Sequence, residues 1–107
     1  MSQQDIETLL SELKQGLSLL YGKRLKGVFL FGSYARQAQE VGSDLDVLIV
    51  LDDLGLYSTE IKWTGELVSN LSLKYGTSIS RTFLREDDWR NYDSPLLRNV
   101  RVEAIPL

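Results

Sequence analysis

The sequence contains no cysteine and no histidine. Disulfides, thiolate or imidazole zinc sites, cysteine nucleophiles and Ser-His-Asp triads are therefore excluded. Any metal would have to be held by oxygen, which favours Mg²⁺ and leaves Mn²⁺ open. No apolar run approaches the roughly 20 residues of a membrane-spanning helix. The opening Met-Ser-Gln-Gln-Asp also lacks the basic and apolar regions of a signal peptide, so a cytoplasmic location is expected. There is no basic excess: the formal net charge of −3 argues against neutralising a long nucleic acid. A small nucleotide or a protein acceptor fits that balance better. Repeats, low-complexity runs and linkers are missing as well. With 107 residues, 43% of them hydrophobic, the chain suits one domain over residues 1–107 with one core.

What is present concentrates between Gly27 and Leu51. Two short apolar runs, Val28 to Phe31 and Val47 to Leu51, are rich in β-branched and aromatic residues and bounded by glycines, which predicts two buried strands. The first runs out at Gly32-Ser33, where a residue without a Cβ lets backbone N–H groups approach a ligand closely. The polar segment Tyr34 to Gln39 reads as the start of a helix whose N-terminus favours a phosphate, with Arg36 on its first turn as a bidentate donor or a surface cation. The second strand begins at Asp44 and Asp46. Alternate strand residues share a face, so both carboxylates point one way and can chelate one hard cation. Two acids beside an otherwise apolar strand repel each other without a cation to relieve them.

This order of Gly32, Ser33, Tyr34, Ala35 and Arg36, then Ser43, Asp44, Leu45 and Asp46, resembles the minimal nucleotidyltransferases of the DNA polymerase β-like superfamily. The resemblance implies an α/β (α+β) nucleotidyltransferase fold with a small mixed or antiparallel sheet flanked by helices. It implies transfer of a nucleoside monophosphate, AMP from ATP, to an acceptor hydroxyl with pyrophosphate leaving. Gly32 and Ser33 would position the phosphates with help from Arg36, and Asp44 and Asp46 would be the catalytic pair holding Mg²⁺. Standalone members often occur beside an all-helical HEPN protein in toxin–antitoxin pairs, so a partner that is itself modified is implied, and an oligomer is open. The chain departs from the pattern twice. Gln37 stands where a Gly usually follows the Arg, and Ser80 stands where active members carry a third carboxylate. The alternative reading is therefore a weakened or inactive transferase fold kept as a nucleotide- or partner-binding module.

The remaining elements frame this stretch. Ile6, Leu9, Leu10, Leu13, Leu17 and Leu20 recur at helical spacing within residues 3–21, and Gly22 is a natural stop. Lys23, Arg24 and Lys26 read as a solvated turn. Ile61, Leu67, Val68, Leu71 and Tyr75 predict one helix from Ser58 to Tyr75, capped by Ser58 or Thr59 and closed by Gly76. Ser78 to Leu84 predicts a third strand beside the aspartate strand. Glu86, Asp87 and Asp88 suit the first turn of a short helix through Trp89. Ser94-Pro95 opens a last helix with Leu96, Leu97 and Val100 on its apolar face, and a short extended tail follows. Trp63, Tyr75 and Trp89 are expected in the core or at its rim, not stacked on bases.

Overall fold

A computed structural model describes all residues from Met1 to Leu107. The N-terminal leucine pattern forms α1, Gln3–Tyr21. Ser2 caps it, accepting from the Asp5 N–H while the Asp5 side chain accepts from the Ser2 N–H. At the other end Gly22 takes φ +55° and stops the helix, as expected. The chain then runs through a 3-10 turn into β1, Leu25–Phe31, three residues longer at its start than the apolar run alone predicts. A four-residue helix α2, Gly32–Ala35, leads by a loop to β2, Leu45–Leu51.

The predicted helix 58–75 is in fact two: α3, Tyr57–Trp63, and α4, Gly65–Tyr75. The break falls at Thr64, whose hydroxyl donates back to the Glu60 and Ile61 carbonyls and competes with helix propagation. Neither Ser58 nor Thr59 caps it; the N-cap is Leu56, with no side-chain hydrogen bond. β3, Ile79–Arg85, returns parallel to β2, so α3 and α4 form its crossover. Short α5, Glu86–Asn91, and α6, Pro95–Glu103, follow, α6 being capped by the Ser94 hydroxyl accepting from the Leu97 N–H. The tail ends in a two-residue strand β4, Ile105–Pro106, antiparallel to β1. The sheet is thus mixed and four-stranded, in the order β3-β2-β1-β4.

Period-two alternation in β2 divides the molecule into two faces. Leu45, Val47, Ile49 and Leu51 join Leu9, Leu13 and Leu17 of α1, Val68 and Leu71 of α4, and Phe83 in the main core. Leu48 and Val50 point the other way and meet Val100 of α6, with Phe29, Phe31, Leu84 and Trp89 packed partly buried around them. Trp89 lies against Phe29 with ring centroids 4.9 Å apart, so it is packing, whereas Trp63 is exposed. At the end of the sheet away from Gly32, buried Glu60 accepts from the Tyr21 hydroxyl and from the Arg24 guanidinium. Burial and that carboxylate push the Tyr21 phenol well above its ordinary pKa. Arg24 therefore belongs to a structural ion pair as well as to a turn.

Candidate active site

Strand register brings the predicted residues together. Phe31 is paired with Asp46 across β1 and β2, and Asp46 is paired with Ser80 across β2 and β3. Paired residues share a sheet face, so Phe31, Asp46 and Ser80 form a row on the face of Leu48 and Val50, beneath α5 and α6. Gly32 follows Phe31 directly and turns the chain with φ +75°. A Cβ at that position would stand 2.2 Å from Asp46 Oδ2. Only glycine serves here: it supplies the left-handed backbone and leaves room for the carboxylate.

Asp46 is partly buried, while Asp44 is exposed and sits just ahead of β2, a correction to the expectation that the strand begins with it. Burial, and secondarily the negative charge of Asp44, raises the Asp46 pKa above its ordinary value, with Arg36 opposing. The charge of Asp44 therefore reaches Asp46. Ser80 stands abreast of Asp46 in the neighbouring strand and brings no charge. No group of three or more acidic side chains converges on a shared point.

The segment after Gly32 differs from expectation. The helix begins at Gly32 itself and is over by Ala35, so Arg36 is its C-cap residue and not part of its first turn. Gln37 takes φ +56°, the left-handed conformation that the usual Gly adopts without strain. The loop closes through the Glu40 N–H donating to Ser43 Oγ at 2.9 Å, so Ser43 stabilises the turn before Asp44.

Glu103, at the end of α6, completes the arrangement and was not singled out in the sequence. Its Oε1 accepts from the Gly32 N–H at 3.2 Å, and Arg36 Nη1 donates to both carboxylate oxygens at 3.2 and 3.1 Å. The contact spans 71 residues in one case and 67 in the other, so no local pattern could have announced it. Ser33 is half-buried and its hydroxyl makes no hydrogen bond within the protein. Beside this cluster, on the same face, a cavity of about 440 Å³ opens between the sheet and α5 and α6, lined by Phe31, Leu48, Thr82, Leu84, Tyr92 and Val100 among others. A larger cavity of about 610 Å³ lies behind the Asp44 loop, against Ile6, Tyr34 and Gly76–Ser78, and contains none of the five predicted site residues.

The glycine-serine turn set against the aspartate strand can be compared with known proteins. Residues 10–98 match the nucleotidyltransferase domain family. The chain belongs to that family. It is 36% identical over 76 residues to MJ0141 of Methanocaldococcus jannaschii, which is named as a protein adenylyltransferase, over 71% of this chain and 76% of that protein. The solved structure of a minimal nucleotidyltransferase superimposes with a TM-score of 0.63 at 28% identity, covering 100% of both chains. The fold is also shared, with a TM-score of 0.52 and 18% identity, by a chain of a tri-AMPylated Shewanella oneidensis HEPN toxin in complex with its MNT antitoxin; the match covers 92% of this chain and 70% of that one.

Proposed function

We propose that this nucleotidyltransferase-family domain binds ATP at the Gly32 turn and transfers AMP to a hydroxyl of a protein partner. The observation that carries the reading is the seat at Gly32: the backbone turns with φ +75° so closely over Asp46 that no side chain fits between them. That closeness suits a site where phosphates bound at the turn must also lie beside the carboxylates. In the reaction the acceptor oxygen bonds to the α-phosphorus, the α–β phosphoanhydride bond breaks, and pyrophosphate leaves while the hydroxyl proton is released.

The roles divide by chemistry. Gly32 N–H and the Ser33 hydroxyl would donate to phosphate oxygens, and Arg36 would hold a phosphate by its planar fork. Asp44 and Asp46 form an all-oxygen donor pair, and a divalent cation would relieve both their repulsion and the desolvation of the partly buried Asp46. They would hold Mg²⁺, or Mn²⁺, which when bound neutralises phosphate charge. Positioning and charge neutralisation would then supply most of the rate. The acceptor would be a protein, as the name of the archaeal relative suggests, and a HEPN-type toxin fits the assembly in which the fold recurs.

Ser80 favours a second reading. Lying in register with Asp46, it leaves two acids where the resemblance implies three, which suits a domain that binds nucleotide and turns it over slowly or not at all. Calorimetric titration with ATP, with and without Mg²⁺, tests the site first. Metal-dependent binding lost in Asp44→Asn and in Asp46→Asn is expected. A folded wild-type chain silent toward ATP and other triphosphates would reject the nucleotide site. Ser80→Asp then separates the two readings, since added AMP transfer to a confirmed acceptor is expected only if the missing acid limits turnover.

A further inference from the structure

Two of the three donors that the proposed site would offer to a phosphate are already engaged by this chain. The Gly32 N–H and the Arg36 guanidinium both donate to the Glu103 carboxylate, at 3.1 to 3.2 Å. Glu103 is not a loose terminal side chain. Val100, one turn earlier on α6, is buried against Leu48 and Val50, and on the other side Ile105 and Pro106 pair with Leu30 and Phe29 of β1. The Leu107 N–H also donates to the Val28 carbonyl. The carboxylate is therefore fixed from both directions, with its face of α6 turned toward Gly32.

We propose that Glu103 is a built-in competitor for the anion seat of the nucleotide site, which a triphosphate must displace and which returns as product leaves. The inference rests on the reading of Gly32 and Arg36 as phosphate ligands. A carboxylate and a phosphate present similar oxygen pairs to an arginine fork, so one replaces the other without rearranging the seat. They differ in charge. A carboxylate brings one negative charge, whereas a triphosphate brings several, with oxygens left over for a cation held by Asp44 and Asp46. The exchange is uphill for a weakly charged anion and favourable for a polyphosphate. Glu103 thus sets affinity and specificity: it makes the site reject singly charged ligands and lowers the affinity of every anion that must displace it.

A merely structural ion pair would behave differently. Arg36 is 54% and Glu103 27% exposed at the side chain, so the pair alone contributes little stability. Breaking it would leave ligand affinity unchanged, whereas removing a competitor improves affinity.

The test titrates the full chain by calorimetry with magnesium-ATP and with inorganic tripolyphosphate, using wild type, Glu103→Gln, Glu103→Asp, Arg36→Ala and the Arg36→Ala/Glu103→Gln double variant. Glu103→Gln removes the charge, and Glu103→Asp keeps it on a shorter reach, so the two free the seat by different routes. Both are expected to bind the probes about two- to fivefold more tightly than wild type, the scale of a partly exposed ion pair. The gain should shrink in the Arg36→Ala background, where the Gly32 N–H is the one seat donor left for Glu103 to occupy. Equal or weaker binding by both Glu103 variants, while wild type binds, overturns the competitor and leaves the site standing. Silence of all five folded proteins toward both probes overturns the nucleotide site, and the competitor with it.

Discussion

The two faces of the sheet are built for different purposes. Toward α1 and α4, fifteen buried apolar residues form a continuous core. Toward α5 and α6, only Leu48, Val50 and Val100 are buried, and the remaining surface carries Asp46, Ser80, a cavity and the end of α6 with Glu103. One strand, β2, serves both: its odd-numbered residues hold the core and Asp46 faces the chemistry. Stability and function are therefore separable along a single strand by sequence parity. A change of one residue's face would exchange one for the other.

The sharpest way to break the comparison is to truncate one buried side chain on each face to alanine and compare the costs. Leu13 is fully buried in the main core, and Leu13→Ala is expected to lose about 2–5 kcal/mol from the missing contacts and the cavity left behind. Val100→Ala removes less from a thinner cluster and should cost about 1–2 kcal/mol. Chemical denaturation with a shared slope measures both. A Val100→Ala loss as large as that of Leu13→Ala would mean that the α6 face is also a principal core.

Gly32→Ala comes next in size and probes the boundary between the faces. The left-handed backbone disfavours any Cβ by roughly 1–2 kcal/mol, and the methyl would meet Asp46 Oδ2 at 2.2 Å, forcing the carboxylate aside. The expected result is a stability loss of about 1–3 kcal/mol together with loss of ATP binding. Adding Asp46→Ala should recover part of the stability and none of the binding. Full retention of ATP affinity in Gly32→Ala would show that the turn does not touch the nucleotide.

The main-core face was largely legible in the sequence because its signals are periodic. Leucines three and four apart outline α1 and Gly22 stops it, while on the other face Ser94-Pro95 marks the start of α6. The break between α3 and α4 was not legible: the apolar spacing from Ile61 to Tyr75 runs straight through Thr64, and only its hydroxyl bonding to earlier carbonyls interrupts the helix. On the functional face, Gly32 and Asp46 are aligned by their order across one short connection, whereas Ser80, beyond the α3–α4 crossover, is placed by the family resemblance and its position after Gly76. Arg36 was misplaced on the helix because α2 is a single turn. Glu103 could not be found at all, since its partners lie on the opposite side of the chain sequence and a lone acid near a helix end carries no pattern. Glu60 was hidden for the same reason.

The smallest effect is also the most direct measure of what the functional face costs. Burial, with the charge of Asp44 behind it, raises the Asp46 pKa in the folded protein, so folding favours the protonated form. The corresponding destabilisation is absent at pH below the ordinary carboxylate value, grows as pH rises through the raised pKa, and is fully present at neutral pH. Asp46→Asn keeps the shape without the charge. It should therefore be more stable than wild type at pH 7, by a small margin given the residue's partial exposure, and the two proteins should converge near pH 3. Asp44→Asn removes only the second cause, so a smaller gain in the same direction is expected. Thermal unfolding of the three proteins across that pH range reads all of this. An Asp46→Asn variant less stable than wild type at neutral pH would mean that the Gly32 turn relies on the charged carboxylate, and the two faces would then share their stability after all.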